Sequence, residues 1–261
     1  MAWGAVCLLA VSLIGPVHAS EDECDNSDDP ARVLISCAAV IAKAPPGAAS
    51  VAWAFSSRGW AYRRLGHYQK SIAEYDRAIA LTPYDKIAHT GRGRTHAAMD
   101  AHPAALSDFA RALEIDRSHI PALIGSAIAH AEMGDHDRAL AVYDLALTMD
   151  MRSPQILNNR GRLYRDLDQL ERAVKDFDRA IALDPGYVSA RINRGTAYQL
   201  LGLADRAFED WSWAIEQRSR DYVIEWQEFL RDEGHYSGPI HGAFDAATRV
   251  ALAACAADLS C

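Results

Sequence analysis

Apolar residues recur three and four positions apart through most of the chain, from about residue 52 to residue 221. This spacing matches the turn of an α-helix that has one buried face. The pattern is interrupted at regular points, for example at Leu65-Gly66 and at Met133-Gly134. Glycine after a periodic segment is typical of a helix end. The pattern therefore predicts pairs of helices joined by short turns.

The interruptions belong to a repeat of 34 residues. Each unit has a small residue, and 19 positions later an alanine that follows an aromatic residue by three positions. Small residues allow two helices to approach closely, and no such unit can bury its apolar face alone, so the units are expected to stack into a solenoid. The units are 52–85, 86–119, 120–153, 154–187 and 188–221; their small residues are Gly59, Gly93, Ala127, Gly161 and Gly195; their aromatic residues are Tyr75, Phe109, Tyr143, Phe177 and Trp211.

Two segments carry the pattern most clearly: SSRGWAYRRLGHYQKSIAEYDRAIALTP in the first unit and NNRGRLYRDLDQLERAVKDFDRAIALDP in the fourth. Both closely resemble the tetratricopeptide repeat. The resemblance implies an all-α, right-handed solenoid of five helix-turn-helix repeats. It also implies that the first helix of each repeat lines a concave groove that binds a protein or peptide partner.

By the same resemblance, the groove has a defined set of lining residues. Arginines and carboxamides on one surface favour an extended acidic segment or a chain-end carboxylate as ligand. The alternative is a solvated groove whose arginines only pair with neighbours such as Asp166. The expected groove residues are Trp53, Trp60, Arg63, Arg64, Arg94, Asn158, Asn159, Arg162, Arg165, Asn193 and Gln199.

The segments before the repeats point to export. Residues 1–19 form a short apolar run that ends in Val17-His18-Ala19, which is typical of a secretory signal peptide. The missing positive charge near Met1 keeps a retained anchor open as an alternative. Residues 20–51 then combine an acidic arm with a helical segment that is expected to cap the first repeat.

Four cysteines remain after the signal, in two close pairs at opposite ends of the chain. An even number of cysteines in a secreted chain favours disulfides, and closing two short loops demands least of the fold. We therefore expect Cys24 to pair with Cys37 and Cys255 with Cys261. Four buried free thiols are the alternative.

The period stops after residue 221, and residues 222–261 have a different pattern. They resemble the first half of the peptidoglycan-binding-like three-helix domain. That resemblance makes Tyr236, Ile240 and Phe244 candidates for contact with the cell wall. Because the family's second glycine turn and final helix do not follow, a helical cap on the last repeat is the alternative. The matching positions are Val223, Gln227, Leu230, Gly234, Tyr236, Gly238, Ile240, Gly242, Phe244, Thr248 and Ala251.

Composition narrows the functional classes. The net charge is −8, the pI is about 5.7, and 27 basic residues are spread without a cluster, which argues against nucleic-acid binding. No stretch is apolar for long enough to span a membrane. No motif of a hydrolase, metalloprotease or nucleotide-binding enzyme occurs, so neither catalysis nor a cofactor is expected. Six of the ten histidines lie in repeats 2 and 3, where hydrogen-bonded histidines are preferred over a metal site.

These expectations combine into one hypothesis. The chain would be a bacterial periplasmic, or otherwise secreted, adaptor that holds a protein or peptide in its groove and is kept near the wall by its C-terminal segment. A direct peptidoglycan-binding protein with the repeats as spacer, or an accessory subunit that positions a wall enzyme, are the alternatives.

Overall fold

A computed structural model of the chain describes Cys24, residues 27–259 and Cys261. The predicted signal peptide lies outside these residues. Within them the chain is all-α, with thirteen α-helices, one short 3₁₀ turn at Ala49–Val51 and no β-strand. The helices are α1 Pro30–Lys43, α2 Ala52–Arg64, α3 Tyr68–Leu81, α4 Lys86–Ala97, α5 His102–Ile115, α6 Ile120–Glu132, α7 His136–Met149, α8 Pro154–Asp166, α9 Leu170–Leu183, α10 Val188–Leu200, α11 Ala204–Glu216, α12 Arg220–Asp232 and α13 Ala246–Ala257.

The five predicted repeats correspond to the five helix pairs from α2/α3 to α10/α11. The turn inside each pair places one residue in the left-handed region of backbone space. Glycine adopts this conformation without a steric cost, and aspartate tolerates it better than most residues. The five turn residues are Gly66 (φ 74°), Asp100 (φ 58°), Gly134 (φ 78°), Asp168 (φ 57°) and Gly202 (φ 72°). The turn residues with positive φ are therefore spaced 34 residues apart, as the sequence repeats are.

In four of the five pairs, those of repeats 1, 2, 4 and 5, an aromatic ring of the second helix lies on the glycine of the first helix. An added Cβ at Gly161 would stand 2.7 Å from the Phe177 ring, and one at Gly195 would stand 2.6 Å from Trp211 Nε1. Real Cβ atoms do not approach so closely, so these rings occupy the space that a side chain would need. The close contact predicted from the repeat is confirmed.

A second set of contacts at the same period links neighbouring helix pairs through arginine. Arg160 on α8 donates from Nε and Nη2 to the buried Asp176 carboxylate of its own repeat, both at 2.7 Å, and from Nη1 to Asp144 of the preceding repeat. Arg194 makes the same three bonds to Asp210 and Asp178. These bonds raise the pKa of both guanidinium groups, with the bond to the buried carboxylate as the largest cause. We call each such arginine with its two carboxylates a clamp.

The chain divides into two compact units, the first reaching to Ile115 and the second beginning at Asp116. The first unit contains α1 and repeats 1 and 2. In it, α1 packs against α2 through Val33, Ala54 and Ala61, as expected of a cap helix. The predicted bond between Cys24 and Cys37 is present, with a Cα–Cα distance of 4.8 Å.

The second unit contains repeats 3 to 5, α12 and α13. The C-terminal segment, α12, the following turn and α13, shares one core with the last repeat. Trp211 and Ile215 of α11 pack with Leu230 of α12 and Leu252 of α13. The second predicted disulfide, Cys255 to Cys261, closes the end of α13 with a Cα–Cα distance of 5.3 Å.

None of the helices that the structure describes is both long and apolar enough to cross a bilayer.

The clamp generates a stability prediction. Asp176→Ala leaves Arg160 half-buried with only the exposed Asp144 as partner, and should lower the free energy of unfolding by about 3 kcal/mol. Asp144→Ala removes the exposed partner of the same arginine and should cost less than about 1 kcal/mol. Urea unfolding followed by circular dichroism measures both variants. If both variants lost the same unfolding free energy, the buried Asp176 would not be the more important partner of Arg160.

Candidate partner-binding site

The predicted groove residues fall on the first helices of repeats in both units. We call the exposed surface of α2 and α4 the first-unit face, and that of α8 and α10 the second-unit face. Within each unit the two first helices are neighbours. The first-unit face carries Trp53, Trp60, Arg63, Arg64 and Arg94, and the second-unit face carries Asn159, Arg162, Arg165 and Asn193. Asn158, which was predicted with them, is buried below the second-unit face.

The two tryptophans of the first-unit face are only partly accessible. Trp53 and Trp60 both pack against the core that α2 forms with the N-terminal cap helix. The Arg64 guanidinium lies over the Trp60 ring at 5.7 Å from its centroid, a distance at which the cation is attracted to the ring face. These three residues form an aromatic and cationic edge to the face.

The ring of Tyr75 lies between α2 and α4, against Gly59 and Gly91, and Arg63 and Arg94 follow these glycines by about one turn on the same helices. Tyr75 lies on α3, and its ring is buried. Burial raises the pKa of Tyr75 to about 12, while the charges of Arg63 and Arg94 act in the opposite direction. The pKa of Arg94 is lowered from its ordinary value, mainly because the surrounding protein displaces water from its guanidinium group and also because of the charge of Arg63.

Tyr75 was missed as a site residue in the sequence because its position in the repeat is that of a core aromatic. Gly91 explains why its hydroxyl lies against α4, below the first-unit face. A Cβ at Gly91 would overlap the Tyr75 ring, whereas the equivalent position in repeat 4 holds Asn159. In the sequence, the signal for this role of Tyr75 was Gly91, a glycine at a position where repeat 4 has the polar residue Asn159.

At the second-unit face, three of the predicted residues are bonded to one another. Asn193 Nδ2 donates to Asn158 Oδ1 at 2.8 Å, and Arg165 Nη1 donates to Asn193 Oδ1 at 3.4 Å. Arg165 also pairs with Asp166 at 2.8 Å. This chain of bonds ties α8 to α10, so the solvated, internally paired alternative describes Arg165 well.

Arg162 and Asn159 differ from these three. Neither side chain has a hydrogen-bond or ion-pair partner among the described residues, and Arg162 is exposed. The Arg162 charge favours ionisation of Tyr143 and Tyr187, against the burial that raises the pKa of both phenols. Tyr143 and Arg162 hold the same repeat positions as Tyr75 and Arg94, 68 residues earlier. An arginine beside a tyrosine thus occurs once on each face.

Gln199 is directed away from the second-unit face. It is buried, and its Nε2 donates to the carbonyl oxygens of Cys255 and Asp258 at 3.0 and 2.8 Å. The residue therefore fastens the C-terminal segment to the last repeat.

The predicted wall-contact residues belong mainly to the core of the second unit. Tyr236 is buried, and its hydroxyl donates to the Pro239 carbonyl at 2.9 Å. Ile240 and Phe244 are partly buried and pack against the same cluster. Of these three residues, Ile240 and Phe244 therefore have surface available to a ligand, and Tyr236 does not.

One buried amide organises the turn that holds these residues. Gln227 Oε1 accepts from the amides of His241 and Gly242, and its Nε2 donates to Ala243 O and Thr248 Oγ1. All four distances lie between 2.9 and 3.1 Å. A fully buried side chain that makes four hydrogen bonds specifies a unique local conformation.

Two histidines of the second repeat lie beside a buried carboxylate, and one of them is also within hydrogen-bond distance of a backbone carbonyl. His89 Nε2 lies 3.1 Å from the Pro83 carbonyl oxygen. His89 and His96 flank the buried Asp108 carboxylate at 3.8 and 3.7 Å, and Arg92 binds the same carboxylate as a clamp.

Comparisons with known proteins agree with the fold. A family model described as tetratricopeptide repeat matches residues 52–85, and one described as TPR repeat matches residues 161–202. No match to a curated protein is significant.

Several solved structures share the architecture. A thermophilic TPR protein of Thermus thermophilus has 20% identity and a TM-score of 0.61, covering 69% of this chain and 99% of its own. A tetratricopeptide repeat protein from Parabacteroides merdae has 17% identity and a TM-score of 0.59, covering 79% of this chain and 81% of its own. MamA has 19% identity and a TM-score of 0.50, covering 60% of this chain and 92% of its own. At such identities the likeness concerns the fold.

The Gln227 network generates a prediction for the C-terminal segment. Gln227→Leu keeps the size of the side chain but leaves its four partners without it, and should cost roughly 3 kcal/mol or more. Hydrogen exchange measured by mass spectrometry should become faster across residues 222–259. The matched control is Gln217→Leu, at the exposed end of α11. Unchanged protection in Gln227→Leu would show that the amide does not hold the turn.

Proposed function

Since the chain carries tetratricopeptide repeats, we propose that it is a non-catalytic scaffold whose repeats bind a segment of a partner protein. The proposed binding surfaces are the first-unit face and the second-unit face. Repeats of this kind support protein interaction as a class, and the particular surface has to be argued from its residues.

The observation that carries the proposal is the division of the arginines into two groups. The clamp arginines Arg92, Arg160 and Arg194 each contact two carboxylates of their own unit. Arg94 and Arg162 lie two positions later on the same helices as the first two of these, and have no such partner among the described residues. A charged side chain held by the fold without a counter-ion is available to a ligand carboxylate.

The surroundings of these arginines suit a peptide better than a nucleic acid. The net charge of −8 opposes a polyphosphate ligand. Tyrosines also lie near both arginines: Tyr75 near Arg94, and Tyr143 and Tyr187 near Arg162. Arginine next to tyrosine or tryptophan is the composition that interface centres favour. Asn159 adds an amide that can bond a peptide backbone.

The cellular location is part of the same proposal. An apolar segment of signal-peptide type at residues 1–19 and two disulfide pairs support export into an oxidising compartment such as the periplasm. The scaffold would then act on partners in the cell envelope.

A charge reversal on the second-unit face tests the scaffold. Arg162→Glu should abolish capture of a partner from a periplasmic extract, because Arg162 is exposed and its removal breaks no clamp. Arg179→Glu on α9 is the matched control, since Arg179 is exposed, makes no hydrogen bond or ion pair with described residues, and gives the same change of net charge. Quantitative mass spectrometry of the captured proteins measures the effect.

The result expected is a protein recovered with the unchanged chain and with Arg179→Glu but lost with Arg162→Glu. Identical protein sets from all three would contradict binding on the second-unit face. Circular dichroism confirms that the helical content is unchanged.

Wall association is the second candidate function, favoured by the resemblance of residues 223–251 to the peptidoglycan-binding-like domain. Its test is co-sedimentation of the full chain with purified peptidoglycan sacculi. Because the C-terminal segment shares its core with α11, removing it would expose Trp211 and Ile215, so the intact chain is used. Sedimentation with intact sacculi, lost when the sacculi are first digested with a muramidase, is the outcome expected of a wall-binding protein. A chain that stays in the supernatant is a scaffold with a C-terminal cap.

A further inference from the structure

We infer that Arg63, Arg94 and Tyr75 form a carboxylate-binding subsite on the first-unit face, which receives an acidic side chain of a bound peptide. The inference rests on the proposed scaffold function and names the chemistry that one part of it recognises. We call these three residues the Arg63–Arg94 subsite.

Two arginine charges lie together on the first-unit face without a counter-ion among the described residues. The Tyr75 ring covers both Gly59 and Gly91, and Arg63 and Arg94 lie about one turn beyond these glycines on α2 and α4. The charge of Arg63 accordingly contributes to lowering the pKa of Arg94, and neither arginine has a salt bridge to a described residue. Like charges held together without a counter-ion destabilise the free protein. By contrast, other arginines of the same unit, such as Arg58 and Arg92, are each paired with a carboxylate. An anionic ligand would remove the repulsion.

The two arginines also offer hydrogen-bond donors to a ligand. The Nε of Arg63 is buried and has no hydrogen-bond partner, although a buried donor is normally satisfied. Arg94, across from it on α4, is exposed to solvent. Arg63 therefore offers a desolvated Nε–H donor, and Arg94 offers the N–H donors of a solvent-accessible guanidinium group. The oxygens of one carboxylate can accept from both arginines.

Tyr75 supplies a further donor. With a pKa of about 12 the phenol stays protonated at neutral pH, so its hydroxyl can donate to an anion. Gly91 gives the ring the room to lie against α4, below the face, because any side chain at this position would overlap it. Glycine within a helix costs stability, and here it positions the hydroxyl.

The neighbouring side chains indicate a peptide as the carrier of the carboxylate. Ile87 precedes Arg94 by seven residues on α4, which places both on one side of that helix, and it is 55% exposed. Trp60 lies one turn before Arg63 on α2. A cationic centre between an exposed isoleucine and a tryptophan fits an acidic residue with apolar neighbours.

The test uses the full chain with ¹⁵N-labelled arginine and observes the Nε–Hε signals by NMR. The probe is the peptide acetyl-Leu-Glu-Glu-Leu-amide, and the matched probe is acetyl-Leu-Gln-Gln-Leu-amide. The glutamate peptide should shift the signals of Arg63 and Arg94, and the glutamine peptide should leave them in place.

Three variants sharpen the result. Arg63→Gln and Arg94→Gln should each weaken binding of the glutamate peptide about tenfold or more, the usual effect of losing a charged hydrogen bond. Tyr75→Phe should weaken it roughly threefold, because one neutral donor is lost. As a control, Arg179→Gln on α9 should bind as the unchanged chain does. Without peptide, Arg94→Gln should raise the melting temperature, since the repulsion with Arg63 is gone.

Three outcomes overturn the subsite: no shift at either arginine, equal weakening in Arg179→Gln, or inorganic phosphate shifting both signals at lower concentration than the glutamate peptide. A different result would contradict the scaffold proposal without contradicting the subsite. If Arg162→Glu leaves partner capture intact while the peptide still binds at Arg63 and Arg94, the subsite stands and the second-unit face does not take part.

Discussion

The structure depends on the contact between an aromatic ring of one helix and a residue with almost no side chain on its partner. Phe177 against Gly161 and Trp211 against Gly195 show the limit of the arrangement, since even a methyl group would collide with the ring. The ring replaces the missing side chain and fills the space between two closely packed helices, as dense interiors require. The third repeat holds Ala127 and Tyr143 at these positions, and both are buried. The contact of a glycine with an aromatic ring occurs in repeats 1, 2, 4 and 5, so these four helix pairs pack in the same way.

In this regular packing, arginine has two different roles: some arginines pair with buried aspartates, and others have no carboxylate partner. In repeats 2, 4 and 5, the arginine directly before the small residue turns toward the second helix and meets a buried aspartate. Two positions further on, Arg94 and Arg162 lie where no carboxylate of the described chain reaches them. The third repeat has Ser126 and Val142 at the two clamp positions of its own unit, so arginine and aspartate are replaced together. Joint replacement is what a buried pair demands, since a single change would leave an unpaired charge.

The C-terminal segment is part of the core of the second unit. Tyr236, Gln227 and Thr248 are all buried there, and Gln227 donates to Thr248. Gln199 and the shared core with Trp211 attach the segment to the last repeat. A segment of about 40 residues buries too little surface to be stable alone, so docking on a neighbour and a disulfide are physically sensible. Whatever this segment binds, it also covers the apolar end of the last repeat.

The sequence by itself determined the helix pairs, their turns, the cap helix before them and the two disulfides. These features depend on local spacing: apolar residues at helical period, a small residue opposite an aromatic, a glycine or aspartate at each turn, and cysteines close in the chain. Only the tertiary structure decided which polar residues are free. Asn158, Asn193 and Arg165 look like a ligand-binding set in the sequence but satisfy one another, and Gln199 serves the C-terminal segment. The hydroxyl of Tyr75 lies against α4, near Arg63 and Arg94, only because Gly91, sixteen positions later, leaves room for it. The partner of a charge is set by distances between helices that are remote in sequence, and a repeat pattern does not contain those distances.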